Sequence, residues 1–392
     1  KDSCRAARKE KMRLKARPFL CLIFLFEMGF VIMRTDSGVM IHWTENPHYW
    51  ISTSGPSSGC VQDYVSVIKN AFELWNNVGS AYINAVFDGT TSNENYCTET
   101  GSENDHGCDN INLIVFKTGD FPAGTLGFTI NVYNPQTGKM IEADIVFNDD
   151  IRWSDDPTNH SDKNCRGNKF YSLQAVAVHE IGHFFGLDHS LSGYVGEDFV
   201  PGIAPTMFPF YFRVCYENES GDIICPEDSD SNGTPDWQDA TTLELDDIAG
   251  LTFLYPEKQN FPSWGAISGK VSWENGVGMF GVHIVAIRAN DKVPVVSRLC
   301  ENGRYLLFGV SAGDYYVYAE SPELAGIFFT AYLYDYWRDA DRAPYAQLFQ
   351  NIRIDDYAQL APGSEKFNSA KLVSVQEGTT VQGIDFIFPN PE

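Results

Sequence analysis

Residues 179 to 190 read "HEIGHFFGLDHS", and no other stretch restricts so closely what the chain can fold into. Side chains four residues apart stand one above the other on an α-helix, so His179 and His183 can share an ion only if this segment is helical. Gly186 lets the backbone leave that helix with φ > 0, and three residues later His189 can swing back as a third ligand. Three neutral imidazoles leave the fourth tetrahedral position of Zn²⁺ to water, the arrangement of a catalytic rather than a structural zinc. Glu180 is rotated roughly 100° around the helix from His179. Its carboxylate therefore stands beside the water instead of on the metal, where it can act as general base and then pass the proton to a leaving amine. One histidine alone reads as a core or solvated side chain. Five fixed positions in twelve residues point to chemistry.

The surroundings read as an α+β domain. "RTDSGVMIHWTENPHYWIS" alternates like a first strand region, and "CVQDYVSVIKNAFELWNNV" places Val61, Tyr64, Val65, Ile68, Phe72 and Trp75 at helical spacing. "AYINAVF", "NINLIVF", "LGFTINVY" and "EADIVFN" read as strands, "FYSLQAVAVHEIGHFFG" as the second helix and "TTLELDDIAGLTFLYP" as the third. Beyond "EKQNFPSWG" come short alternating runs with turn signals, the pattern of an all-β sandwich. The expected division is a leader over 1–28, a catalytic domain over 29–260 and a sandwich over 265–392, each domain with a core of its own. The aromatic-rich stretch 326–349 fits the sandwich poorly and reads as a packed insertion.

"HEIGHFFGLDHS" resembles the zinc motif of the metzincins, and Ser190 after the third histidine resembles the matrixin branch. "PTMFPFY" is similar to the matrixin Met-turn. The resemblance implies that Met207 lies under the zinc and that Pro209, Phe210 and Tyr211 wall the pocket for the residue after the scissile bond. "LDDIAGLTFLYP" resembles the closing helix, and "GTLGFTI" the edge strand on which a protein or peptide substrate lies extended. A metzincin-type catalytic domain, a twisted sheet with three helices, is thereby implied. The stretch from His189 to Met207 is longer than the family's, no histidines stand between Leu126 and Phe147 for a second zinc, and no cysteine-switch segment precedes the first strand. These departures place the likeness nearest to secreted bacterial matrixin-like proteases. "ISGKVSWENG" and "GRYLLFGVSAGDYYVYAES" resemble the carboxypeptidase regulatory-like, prealbumin-like sandwich, with an extracellular surface or matrix ligand as an implied partner.

A second loop, "DSDSNGTPDWQD", sets Asp228, Asp230, Asn232, Asp236 and Asp239 at positions 1, 3, 5, 9 and 12 of an EF-hand-type loop. Gly233 stands where the sharp turn is needed and Thr234 can offer its carbonyl, which suits a structural Ca²⁺ in an insertion near 211–240.

Charge and cysteines bear on compartment. A net charge of −24 argues against nucleic acid or an anionic membrane as partner. The basic run before "FLCLIFLF" reads as a secretory signal, with Met12 a candidate start, and Glu27 interrupts the apolar run too early for a spanning anchor. Of nine cysteines, Cys4 and Cys21 would leave with the signal. Spacing suggests Cys97 with Cys108 and Cys215 with Cys225, each closing a polar loop, and leaves Cys60, Cys165 and Cys300 as an odd set. The expectation is a secreted zinc endopeptidase. Its rivals are a non-catalytic adhesive protein on the same scaffold and a metal-dependent hydrolase of non-peptide amides.

Overall fold

The structure is a computed structural model that describes residues 31–98, 108–119, 121–155, 165, 170–190, 194–195, 198–199, 205–209, 216–217, 223–224, 241–257, 264–290, 294–321, 341–355, 359 and 364–391. The leader, the proposed calcium loop, Phe210, Tyr211, the Cys215 and Cys225 pair and most of the aromatic stretch lie outside those residues.

A five-stranded sheet forms from β1 (His48–Ser52), β2 (Val86–Thr91), β3 (Asn112–Lys117), β4 (Gly127–Tyr133) and β5 (Met140–Asn148), in the order β2-β1-β3-β5-β4. The first four strands in that order run parallel, and β4 closes one edge antiparallel to β5. The expected first strand region contracts to β1, with residues 32–42 contributing only isolated bridges. Turn residues there, including Gly38 at φ 85°, bend the chain too sharply for a continuous strand.

Helix α1 (Tyr64–Asn76) starts where the Asp63 side chain accepts the Ser66 N–H, and it buries Ile68, Ala71, Phe72 and Trp75. Helix α2 (Leu173–Phe184) is capped by Ser172 through the Ala175 N–H. It is buried nearly all round because α1 covers one side and the sheet the other. Helix α3 spans Leu245–Leu254. Among the described residues, disulfides join Cys60 to Cys165 and Cys97 to Cys108, and the buried Cys300 thiol meets Met279 O at 3.3 Å. On β5, Asp144 accepts the N–H groups of Cys97 and Leu113 at 2.7 and 2.8 Å, and Glu142 accepts that of Asn110 at 2.5 Å. Burial pushes both carboxyls up, Asp144 to about 8.

Among the described residues, the regular elements of the C-terminal region are strands and one short helix, Glu365–Ser369. β6 (Gly265–Trp273) pairs with β9 (Arg304–Val310), and a second sheet runs β8 (Pro294–Leu299), β7 (His283–Arg288), β10 (Gly313–Glu320), β11 (Ala346–Leu348) and β12 (Ile352–Ile354). Ile267, Val271 and Leu307 of the first sheet meet Ile284, Ala286 and Val317 of the second in one core. The two regions do not have wholly separate cores. Ala266, Leu306 and Phe308 join the apolar cluster of the N-terminal region instead, because their strand face lies against α3.

Candidate metal centre

Helix α2 ends in two backbone bonds that carry the chain around to the third histidine. The Leu187 N–H reaches Gly182 O at 3.0 Å and the Gly186 N–H reaches His183 O at 2.9 Å, with Gly186 at φ 99°. This paired closure needs a left-handed residue. A Cβ at Gly186 would also stand 2.6 Å from Ile41 O, so glycine is required twice over.

The result is convergence. His183 Nε2 lies 3.2 Å from His179 Nε2 and 3.2 Å from His189 Nε2. On His179 and His183 the other ring nitrogen faces a carbonyl, Thr206 O at 2.6 Å and Leu187 O at 2.8 Å respectively. Those carbonyls can only accept, so the proton stays on Nδ1 and the two Nε2 atoms present bare lone pairs toward each other. Two lone pairs at that distance repel unless a cation lies between them. Imidazoles bound tetrahedrally at about 2.0–2.1 Å put their nitrogens roughly 3.3 Å apart, which is the spacing here. Burial holds the His179 imidazole down at about 4, and burial together with its two neighbours holds His183 well below its ordinary value. Imidazoles held neutral in this way keep lone pairs that could bind a metal ion. The donor set fits zinc.

Glu180 is buried, and burial pushes its carboxyl up to about 7. Its Oε2 accepts the hydroxyl of Thr129 at 2.7 Å, and the same hydroxyl lies 3.0 Å from Glu180 O. Alternation along β4 turns Gly127, Thr129 and Asn131 to one face. That face lies on α2: a Cβ on Gly127 would touch Glu180 Cγ at 3.5 Å, and Asn131 Nδ2 donates to His183 O at 3.1 Å. Further carbonyls at the helix end are met by Trp43 Nε1 on Phe184 O and Tyr255 OH on Phe185 O. Terminal carbonyls that a helix leaves unpaired are thus satisfied by side chains far away in sequence.

Met207 is 2% exposed, and its sulfur lies under Gly182 of α2. The turn that carries it is fixed by Asp247, whose carboxylate accepts from Thr206 N at 2.9 Å, Met207 N at 3.1 Å and Glu244 N at 2.9 Å. Burial and the neighbouring Asp246 push the Asp247 carboxyl up to about 7 against those three bonds. Asp246 accepts the Ser190 hydroxyl at 2.7 Å. Pro209 is half-buried beyond Met207. Sequence reasoning gave no role to Thr129, Asn131, Asp246 or Asp247, although the alternation of β4 and the paired acids opening α3 carried the signal.

Comparison with known proteins then bears directly on this geometry. Residues 42–194 match the matrixin family. That segment is matrixin-like. It contains all three histidines and Glu180, whereas Met207 and α3 lie beyond it and rest on the geometry alone. The interstitial collagenase of Oryctolagus cuniculus is 28% identical over 206 residues, covering 50% of this chain and 29% of the relative. That of Sus scrofa is 27% identical over 207 residues, covering 51% and 29%. The chain thus spans about 29% of the length of these curated relatives. Among solved structures, a catechol 1,2-dioxygenase from Pseudomonas arvilla C-1 aligns over 35% of this chain and 55% of its own at 11% identity, with a TM-score of 0.16, too low to indicate a shared fold. The likeness is thus to the matrixin family over residues 42–194 and to interstitial collagenases over about half of this chain.

Proposed function

We propose that the chain is a secreted zinc endopeptidase. The observation that carries this reading is the convergence of three imidazole nitrogens with a buried carboxylate on the same helix turn. His179, His183 and His189 hold the metal, which when bound supplies a Lewis acid for water and for the scissile carbonyl. Glu180 takes a proton from the attacking water and delivers it to the departing amine, a transfer that a carboxyl tuned to the neutral range can make in both directions. Thr129 holds one Glu180 oxygen, leaving the other to face the reacting water. The substrate backbone adds to the outer edge of β4 as a further strand. Met207 and Pro209, with Phe210 and Tyr211 beyond the described residues, shape the pocket floor and wall.

Asp228, Asp230, Asn232, Thr234, Asp236 and Asp239 are proposed to bind calcium and stiffen the insertion. Two disulfides favour an oxidising compartment. Among the described residues no helix is long and apolar enough to cross a membrane. The C-terminal strands are proposed to form the prealbumin-like module, with an extracellular surface or matrix component as its ligand.

The test is cleavage of unfolded casein before and after removal of zinc by a chelator, with calcium kept in excess. Cleavage lost on chelation and regained with zinc supports the reading. A zinc-loaded chain that cuts no peptide sinks it in favour of a non-catalytic, adhesive role.

A further inference from the structure

The two imidazoles of α2 are oriented by carbonyls that do not belong to α2. His179 Nδ1 faces Thr206 O and His183 Nδ1 faces Leu187 O. Each carbonyl sits in a segment that the C-terminal β-region holds by a separate contact.

Leu187 pairs with Ile32 in an antiparallel bridge, reinforced by Met33 N on Gly186 O at 3.0 Å and Asp188 N on Val31 O at 2.8 Å. Two residues beyond Ile32, Arg34 Nη2 meets Glu301 Oε1 at 2.6 Å, with side chains only 9% and 6% exposed. Glu301 lies between β8 and β9. Thr206, for its part, donates its N–H to Asp247 on α3. Two residues along that helix Ala249 is fully buried, and a Cβ added to Gly309 of β9 would stand 2.7 Å from the Ala249 Cβ. Helix and strand backbone are as close there as glycine permits.

We infer that the C-terminal β-region is part of the support of the metal centre, with Arg34 and Glu301 as positioning residues for His183 and the Gly309–Ala249 contact serving His179. The inference rests on the zinc reading of the triad. A ligand imidazole grips a metal in proportion to how firmly its second nitrogen is held, and loss of such outer partners costs about 10- to 100-fold in metal affinity. Removing one member of a buried ion pair leaves an uncompensated charge, which the segment relieves by moving. Here the segment that moves is the one paired to Leu187.

The experiment measures the zinc dissociation constant of the full chain by competition with a chromophoric chelator, at a temperature well below every variant's melting point. Glu301→Gln and Arg34→Met are each expected to weaken zinc binding at least about tenfold. The double variant Arg34→Met/Glu301→Met, with no charge left unpaired, is expected to recover most of it. Gly309→Ala tests the second route without touching the ion pair and is also expected to weaken binding. Leu307→Ala, which opens a cavity in the C-terminal core, is the control: it lowers the melting point and leaves zinc affinity unchanged. Zinc affinities that follow melting temperature across all these variants, or that equal the unaltered chain's, overturn the positioning role while leaving the zinc reading intact. An unaltered chain that binds no zinc removes both.

Discussion

Replacing Gly182 by alanine is expected to destabilise the chain by about 2 kcal/mol, although alanine is the better helix former. The magnitude follows from the packing. An added Cβ would lie 2.1 Å from Met207 Sδ, 3.0 Å from Trp75 Cζ2 and 3.1 Å from Met207 Cε. Carbon and sulfur need nearly twice the shortest of these distances. Trp75 cannot yield, because it is fully buried and its indole N–H is tied to Val178 O at 2.9 Å. Met207 must move, but it is buried too. Overpacking a filled core costs up to about 3 kcal/mol, from which the helix preference of alanine over glycine recovers about 1. The assay is guanidinium unfolding in the presence of chelator, so that zinc binding does not enter, with an unchanged m-value as the sign that only stability moved. Shortening Met207 to alanine in the same chain should make the Gly182→Ala cost largely vanish. If Gly182→Ala proves neutral or stabilising, as at an open helix position, Met207 does not press on α2 and the reasoning fails.

Two more predictions concern Thr129 at the site and the buried carboxyl pair of β5. Thr129→Val should lower kcat by about ten- to a hundredfold, the worth of a hydrogen bond to a charged group, with KM nearly unchanged and Thr129→Ser restoring most of the rate. A raised KM at constant kcat would assign Thr129 to substrate binding instead. The buried Glu142 and Asp144 carboxyls have raised values, Asp144 from 3.8 to about 8, so the folded chain binds more protons there than the unfolded chain. Stability from this pair is fully present below about pH 4 and is lost as pH rises through about 8, with a slope of at most about 1.4 kcal/mol per pH unit for one proton. Urea unfolding should therefore show the native chain losing stability relative to Asp144→Asn, which has no carboxyl to ionise, as pH rises from about 4 to about 8. Native stability that rises relative to Asp144→Asn over that range would contradict the burial argument.

The triad was legible because each of its constraints is local. A four-residue helical spacing and a glycine that can turn left-handed are written within twelve residues, and the structure closes that turn with bonds confined to residues 182–187. Helix and strand placements followed from periodicity, with ends trimmed by a few residues where caps such as Asp63 and Ser172 fix the start. The supports of the site were not legible in this way. Thr129 and Glu180 are 51 residues apart, and Ser190 and Asp246 are 56 apart. Nothing in the local pattern of either member names the other. The same holds for Cys60 and Cys165, which spacing left open and the fold joins across 105 residues. A boundary near residues 257–265 suggested independent cores. The glycine of β9 against Ala249 shows why composition could not reveal a shared one: a missing side chain, rather than a present one, lets the two regions close.

The central claim is that Glu180 moves protons at a metal held by His179, His183 and His189. Its most direct test pairs metal analysis with peptide cleavage for the native chain and Glu180→Ala. The account predicts one zinc per chain in both, cleavage of unfolded protein by the native chain, and none by the variant. A zinc-loaded Glu180→Ala chain that cleaves at the native rate would contradict it.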